Sequence, residues 1–315
     1  MAKRSAPHET RWAGPSRFTR AQEVAVRIFF FICAAITILT TLGILFVLGS
    51  ETLAFFRKDG VSVGGFLLGT ETTPDSDPPK YGLLPMLWGT FVIALGSSAI
   101  ALPIGLASAI FLSEYAPRSL RAALKPTLEL LAGVPSIVYG YLALLLVTPV
   151  LKAILEPLGL EVETFNVVSA CIVVGIMVIP LVSSLSEDVL SAVPRGLREA
   201  AYGLGATKFE VSVGVVLPAA LSGVVASFLL AISRAVGETM AVVLAAGSQP
   251  RISLNILGSV QTMTAYIVAI MGGEAESGSA KYLSLFAVGL ALFTVTLTMN
   301  LISQAVLRRY REVYS

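Results

Sequence analysis

Residues 199–218 read EAAYGLGATKFEVSVGVVLP, a polar and sharply punctuated stretch between two long apolar segments of the chain. Its fixed points are Glu199, Ala200, Ala201, Gly205, Leu217 and Pro218. Helix formers come first, a glycine then permits a turn that a side chain would hinder, and a proline stands where the next apolar segment begins. The stretch therefore predicts a short helix, a turn and re-entry into an apolar segment.

The amino-acid composition excludes a water-soluble globular protein. Hydrophobic residues make up 55% of the 315 residues and charged residues only 13%, and the mean hydropathy is +0.82. A chain of this kind needs lipid as its solvent. Its formal net charge of +2 gives no argument for a nucleic-acid partner, because the basic residues are distributed by membrane sidedness.

Charge-poor runs of about 20 residues are long enough to cross a bilayer as helices. Six such runs are present: Ile28–Leu48, Leu83–Leu112, Thr127–Ile154, Asn166–Ser186, Val211–Ala246 and Tyr282–Leu307. They predict an all-α polytopic membrane protein with six transmembrane helices, several of them tilted or kinked. A further uncharged run, Ile252–Met271, is expected to be external or partly embedded, since a seventh crossing would move the basic C-terminal end to the other face.

Lysine and arginine are unevenly distributed between the two faces of this arrangement. Fifteen of the 22 lie on the face that carries both termini and the 199–218 stretch, six lie on the other face, and Arg234 is within the membrane. Because cytoplasmic segments carry the excess of basic residues, both termini and the 199–218 stretch are predicted to be cytoplasmic. The first apolar run is too long for a signal peptide and is interpreted as a retained anchor.

The chain is expected to have four parts. Residues 1–23 form a basic cytoplasmic tail, residues 24–82 the first transmembrane helix and an external loop, residues 83–308 a compact five-span core, and residues 309–315 a cytoplasmic end. Within the external loop, TETTPDSDPPK at residues 70–80 is predicted to be irregular because of its three prolines.

Residues 233–242, SRAVGETMAV, place two charges in the fifth predicted span. Arg234 and Glu238 are four residues apart, so on a helix they share a face and can pair. A charge at the bilayer centre costs about 2.5 to 3.5 kcal/mol, so these two and the adjoining Thr239 should face protein or water. A guanidinium suits a tetrahedral oxyanion, which makes them candidates for a substrate path. A structural ion pair that locks helix packing is the alternative.

Residues 129–140, ELLAGVPSIVYG, predict a broken helix in the third span. Gly133 loosens the helix, while Pro135 lacks an amide hydrogen and disfavours a helical residue before it. A broken helix in a membrane is tolerated where it lines protein or water. Ser136 and Tyr139 would then offer hydroxyls to a passing anion, and a kink used only for packing is the alternative.

The residues argue against several classes of site. None of the seven lysines follows a glycine, so no P-loop is present and ATP must be hydrolysed by another chain. Cys33 and Cys171 fall inside predicted spans and the single histidine, His8, lies in the tail, so neither a disulfide framework nor a metal site is predicted. No catalytic residues are expected, because an intramembrane hydrolase needs a partnered nucleophile or paired aspartates.

The 199–218 stretch resembles the cytoplasmic EAA loop of ABC-importer permeases, with Val215 where isoleucine is usual. The chain as a whole also contains KYGLLPMLWGT at residues 80–90, LLAGVPSIVYG at 130–140, RAVGETMAV at 234–242 and RRYRE at 308–312. With these segments it resembles the PstC-type permease subunit of bacterial phosphate ABC importers over nearly its whole length.

That resemblance implies a type I ABC-importer permease in the bacterial inner membrane, with residues 83–308 as the permease core. The helix at Glu199 would act as a coupling helix on a separate ATPase, and the path residues would pass inorganic phosphate. The implied partners are a PstA-type permease, a PstB-type ATPase dimer that binds ATP and Mg, and an extracytoplasmic phosphate-binding protein, with no cofactor in this chain.

Two alternatives remain open from the residues alone. Guanidinium chemistry does not separate phosphate from phosphonate, sulfate or molybdate, so a permease for another oxyanion is the first. A membrane sensor or enzyme without transport is the second. The external loops hold ten acidic and six basic residues, which attracts free phosphate poorly and favours delivery of the substrate by a binding protein.

Overall fold

The computed structural model describes residues 17–273 and 275–310, with side chains described from residue 22 to residue 306 apart from residue 274. Residues 1–16 of the predicted tail and residues 311–315 of the predicted cytoplasmic end lie outside the described residues. By their contacts the described residues divide into two compact units, with the boundary between Ser50 and Glu51. In the first unit, apolar side chains such as Phe30 and Phe31 are exposed, as expected for a helix whose solvent is lipid.

The described residues form fourteen α-helices and one two-stranded hairpin. The helices are α1 (Arg17–Phe56), α2 (Val63–Leu68), α3 (Leu84–Ile110), α4 (Arg118–Ala132), α5 (Ser136–Leu142), α6 (Thr148–Leu155), α7 (Val167–Ala192), α8 (Arg195–Gly203), α9 (Lys208–Val211), α10 (Leu217–Ala219), α11 (Leu221–Val236), α12 (Met240–Ala246), α13 (Met263–Gly272) and α14 (Ala280–Tyr310). The hairpin pairs β1 (Thr72–Thr73) with β2 (Lys80–Tyr81). The all-α prediction is confirmed, although the segment expected to be irregular forms this hairpin.

Six membrane spans are also confirmed by length and composition. Among the described residues, five helical segments are long and apolar enough to cross a bilayer, and a sixth is a pair bent by 74°. They are Gln22–Phe56, Leu84–Tyr115, Ser136–Leu158, Val167–Ala192, Lys208–Ala219 with Leu221–Val236, and Ala280–Val306.

The third span begins later than predicted. The expected start at Thr127 is wrong, because α4 is a separate amphipathic helix and the apolar crossing starts at Ser136. Gly133 ends α4 and Pro135 precedes α5. Proline has no amide hydrogen to continue the helical ladder, so the chain cannot run through this point as one helix.

The fifth span does not have the predicted bounds Val211–Ala246, since it ends at Val236. It starts at Lys208, passes through a π-helical turn at Ser212–Val216, and bends between α10 and α11. Pro218 lies inside this span and not at its start. A proline removes one hydrogen bond and crowds the carbonyl four residues earlier, which accounts for the wide turn and the bend.

The uncharged run at residues 252–271 does not form a seventh span. It consists of an irregular segment followed by α13, and ten residues are too few to cross a bilayer. Residues 258–266 are buried. Met263 and Tyr266 join a core cluster with Phe55 and Leu283, so the second half of the run is embedded in protein.

Helix α7 is the centre of the second unit and packs along α3 at very short distances. A Cβ added to Gly105 would come within 2.7 Å of Val182 Cβ, and one added to Gly96 within 2.4 Å of Cys171 Sγ. Close approach at small residues is the usual way in which membrane helices gain packing contacts. These glycines therefore fix the α3–α7 pair on which the rest of the core is assembled.

The face predicted to be external carries a polar connection across the core. Arg251 donates from Nη2 to Glu163 Oε1 at 2.6 Å and from Nε to the carbonyl of Ser259 at 2.8 Å. The backbone amide of Ser259 donates to the same carboxylate at 2.9 Å. The hydrogen bond from Arg251 holds the pKa of Glu163 below its ordinary value, so this connection is expected to weaken as the pH falls through that lowered pKa.

Candidate functional site

The EAA stretch forms an exposed helix with a tight turn after it. No residue of helix α8 is fully buried, and both Glu199 and Ala200 are exposed. Gly205 ends the turn at φ +87°, in the left-handed region where a Cβ is disfavoured. Leu204 is 90% exposed and Phe209 67% exposed. This loop thus leaves a carboxylate and large apolar side chains exposed, a combination that is common at interaction sites.

The base of the same loop is anchored by Arg198. Its guanidinium donates from Nη2 to Glu114 Oε1 and to the carbonyl of Leu190, both at 2.8 Å. It also donates from Nη1 to the carbonyl of Val193 at 2.6 Å. The two charged side chains are 16% and 5% exposed. A charged fork buried in this way fixes α8 against the end of the second span and the end of α7.

Two further contacts hold the return of the loop into the membrane. Thr207 and Glu210 form a reciprocal capping box at the start of α9, which satisfies amide donors that the first helical turn leaves free. Lys208 Nζ lies 4.9 Å from the centre of the Tyr115 ring, within range of a cation–π interaction. The loop therefore has a rigid base and an exposed tip.

Two other fixed points of the EAA pattern serve packing. Ala201 and Leu217 are partly buried against one apolar cluster, which includes Leu190 and Val216. Pro218 is exposed within the bent span. The structure thus separates the six residues predicted for ATPase coupling into an exposed set near Glu199 and a packed or membrane-embedded set.

The predicted pairing of Arg234 with Glu238 is wrong. Helix α11 ends at Val236 and Glu238 lies in the break before α12, where its carboxylate accepts from the Ala241 amide at 3.3 Å. The four-residue spacing would align the two side chains only on a continuous helix. Arg234 is exposed, and its guanidinium has no hydrogen-bond or ion-pair partner among the described residues.

The Gly237–Thr239 break is tied to the rest of the core through its backbone. The Thr264 hydroxyl donates to the carbonyl of Glu238 at 2.8 Å. Thr239 donates from its own hydroxyl to the carbonyl of Gly237 at 3.2 Å. These bonds satisfy carbonyls that the interrupted helix leaves without amide partners.

The break in the third span uses a side chain for the same purpose. Tyr139 is 8% exposed, and its hydroxyl donates to the carbonyl of Leu131 at 3.1 Å. This hydroxyl was predicted to face a passing anion, whereas the structure engages it inside the chain. Ser136 begins α5 and is half-buried.

The short helices that follow the two breaks pack against each other. A Cβ added to Gly140 in α5 would lie 2.8 Å from Leu244 Cβ and 3.2 Å from Ala241 Cα in α12. Both spans leave the membrane in the same direction on the predicted topology. The breaks at Gly133–Pro135 and Gly237–Thr239 therefore lie at the same end of this helix pair.

A cluster of charges that the sequence reasoning missed joins α4 to α7. We call Arg121, Lys125, Glu187 and Ser191 the α4 clasp. Glu187 is fully buried and accepts from Arg121, from Lys125 Nζ at 2.8 Å and from the Ser191 hydroxyl at 2.8 Å. Its sequence signals were two basic residues four apart on an amphipathic helix and an acidic residue directly after an apolar run.

The described residues offer no metal or disulfide site. Within residues 17–273 and 275–310, no group of three or more His, Cys, Asp or Glu side chains is placed to hold a metal ion. Cys33 is exposed and Cys171 is buried, and both are free thiols.

Comparison with known proteins agrees with this geometry. A family profile described as "Binding-protein-dependent transport system inner membrane component" matches residues 101–312. The chain is 34% identical over 274 residues to the probable ABC transporter permease protein YqgH of Bacillus subtilis, with 87% of each chain covered. It is 38% identical over 268 residues to the phosphate transport system permease protein PstC of Xylella fastidiosa, with 80% of each covered.

The fold is also similar to that of a solved permease chain. A chain from a bacterial ABC transporter involved in the import of the acidic polysaccharide alginate superposes with a TM-score of 0.64 at 14% identity. The match covers 92% of this chain and 99% of that one. The predicted ABC-importer permease fold is therefore confirmed.

Proposed function

The chain belongs to the family of binding-protein-dependent transport inner membrane components, and on that basis we propose that it is the membrane-spanning permease subunit of an ATP-driven phosphate importer. Phosphate is favoured over another oxyanion because the PstC relative of Xylella fastidiosa is a phosphate transport permease and is 38% identical to this chain. The chain itself supplies helices and a path. Energy comes from a separate subunit, since none of the lysines of this chain follows a glycine, as the lysine of a P-loop does.

The observation that carries the proposal is the exposed EAA helix on a buried charged anchor. Glu199 and Leu204 face outward, while Arg198 is fixed inside by Glu114 and two carbonyls. An ATPase subunit that grips the exposed side would move α8 as a rigid body together with the ends of α3 and α7. The partner proposed for α8 is a PstB-type ATPase dimer, which binds its own ATP and Mg.

Arg234 supports a path for an anion. An exposed guanidinium within a membrane span is costly against lipid, at about 2.5 to 3.5 kcal/mol on insertion scales, so it must face water or another protein chain in the assembly. A PstA-type permease on the other side of the path would provide that cover. Further path residues are proposed at or next to the two breaks: Thr239, Glu238 and Ser136. The break in the third span is created by Gly133 and Pro135.

The topology follows from the same assignment. With α8 facing the ATPase, both termini are cytoplasmic and the hairpin at Thr72–Tyr81 is external. Residues 83–308 form the permease core, preceded by residues 24–82 as anchor and external loop and by the tail at 1–23, and residues 309–315 end the chain in the cytoplasm. A phosphate-binding protein would dock on the external side.

The test is uptake by the whole assembly. The complex with its co-purifying permease, ATPase and binding protein is placed in proteoliposomes, and labelled phosphate uptake is measured with and without internal or external ATP. We expect uptake that needs ATP on the side of α8 and that excess sulfate does not suppress. Strong competition by sulfate would instead indicate a permease for another oxyanion. No phosphate uptake, with or without ATP, would indicate a sensor or enzyme.

A further inference from the structure

Helix α4 contacts the rest of the protein through a face that is charged in its first half and apolar in its second half. No residue of this helix is fully buried. The half-buried positions are Arg121, Lys125, Leu128 and Ala132, which lie on one stripe of a helix. The half of the stripe nearest the break is apolar and the other half is charged. The first two turns of α4 therefore depend on the α4 clasp and not on apolar burial.

Glu187 is the centre of the α4 clasp. Its carboxylate is fully buried and all of its donors come from three side chains, two on α4 and one on α7 itself. Separating a buried carboxylate from its cations is strongly unfavourable, because the charge would be left without solvent or partner. Any displacement of α7 at this point must carry the first half of α4 with it.

The last turn of α7 is also bound by the EAA helix. Arg198 donates to the carbonyls of Leu190 and Val193, which flank Ser191 of the α4 clasp in sequence. Leu190 is fully buried, so this turn does not yield locally. A continuous set of polar contacts thus runs from α8 through the end of α7 to α4.

The far end of α4 is a joint. The helix ends at Ala132, and α5 begins at Ser136 after the Gly133–Pro135 break. Across this joint the Tyr139 hydroxyl holds the carbonyl of Leu131. A rigid movement of α4 would therefore be delivered to the start of α5, beside the second break at Gly237–Thr239.

We propose that Glu187 is a positioning residue that makes α4 move with the EAA helix as one body. Motion imposed on α8 then reaches the break in the third span through the α4 clasp, in addition to reaching the fifth span through α9. This inference rests on the proposed docking of α8 against an ATPase.

The test uses the full complex and two readouts. Spin labels at Ala122→Cys in α4 and Ala192→Cys in α7, both exposed positions, report the α4–α7 distance by EPR without ATP and in an ATP-trapped state. Cys33 is replaced in this background.

The second readout is the stimulation of ATPase activity by the loaded binding protein. Glu187→Gln removes the charge but keeps the size. Asp188→Asn is the matched control, because Asp188 is 55% exposed and, among the described residues, pairs with Lys125 alone.

With the unmodified clasp and with Asp188→Asn, we expect a single narrow distribution of the α4–α7 distance. This distribution should be the same without ATP and in the ATP-trapped state. Glu187→Gln should broaden the distance and reduce stimulation about fivefold or more, at the lower end of known couplings between sites. A wild-type distance that changes on ATP trapping, or Glu187→Gln with narrow distance and full stimulation, would overturn the proposal. Should Glu187→Gln not assemble, Lys125→Gln, which keeps the Arg121 contact, must show a smaller effect of the same kind.

The two proposals fail differently. Absence of ATP-driven phosphate uptake in the wild-type complex would count against the proposed function. The EPR distances would still show whether α4 stays with α7. A clasp that does not keep α4 with α7 would overturn this inference while wild-type uptake continues.

Discussion

Arg198 and Glu114, 84 residues apart in sequence, form a buried ion pair in which Arg198 Nη2 lies 2.8 Å from Glu114 Oε1. Arg198 directly precedes the exposed Glu199. The exposed carboxylate and the residue that anchors the loop are thus neighbours on α8, and Arg198 links this helix to the end of the second span.

Replacing Arg198 with Gln should loosen the base of the loop. The carboxylate of Glu114 would be left buried without its cation, so the free energy of unfolding should fall by about 3 kcal/mol, and ATP-driven uptake should fall with it. Thermal unfolding and uptake by the reconstituted complex measure the two effects. Arg195→Gln, an exposed position on the same helix, is the control for the stability effect and should leave the free energy of unfolding unchanged.

Replacing Gly205 with Ala should strain the turn. There is space for the added methyl, since nothing lies within 4 Å of it, but φ is +87°. The left-handed conformation costs a residue with a Cβ about 1 to 2 kcal/mol. We expect reduced coupling of ATP hydrolysis to uptake. Gly203→Ala has equal space without positive φ and should be neutral or slightly stabilising, and equal effects of the two would contradict this explanation.

Replacing Glu199 with Arg should abolish coupling without affecting folding. The side chain is exposed, so the change removes no internal contact and reverses a charge only toward the partner. Membrane insertion and thermal stability should match the wild type, while ATPase binding and uptake are lost. Glu23→Arg makes the same change at another exposed position and should retain uptake; full uptake by Glu199→Arg would exclude docking at this helix.

Arg234 and Glu238 should behave as independent residues. Their side chains are not paired in the structure, so a double-mutant cycle of Arg234→Gln and Glu238→Gln should give an interaction energy below about 0.5 kcal/mol. Arg234→Gln alone should reduce phosphate uptake more than it reduces assembly. A large interaction energy would show that the two side chains are paired. If Arg234→Gln lowers the yield of assembled complex but each assembled complex transports phosphate normally, the pair is structural.

Replacing Tyr139 with Phe should affect stability and not substrate passage. The hydroxyl is occupied by the carbonyl of Leu131, and a hydrogen bond of this kind contributes about 1 kcal/mol. We expect a lower unfolding temperature and uptake with unchanged apparent affinity for phosphate. A changed affinity without loss of stability would instead assign the hydroxyl to the path.

Much of this protein was predictable because the relevant information is local. The length of the apolar runs, the excess of basic residues on one face, and the helix-turn pattern from Glu199 to Gly205 each follow from residues that are neighbours in sequence. Local rules also predicted an interruption near Pro135. They failed at Pro218, because whether a proline begins a helix or bends one depends on where the preceding helix starts, and the capping box at Thr207 starts it earlier.

Amino-acid order alone determined that the chain crosses a membrane as helices and carries a polar helix-turn segment between two of them, because apolar length and turn chemistry act over a few residues. Only the tertiary structure decided which charges meet. Glu114 binds Arg198 and Glu187 binds Arg121 across distances of 84 and 66 residues, whereas Arg234 and Glu238, close in sequence, stay apart. Ion pairs depend on how helices are brought together in space, and that arrangement is fixed by the packing of α3, α4, α7 and α8 as a whole.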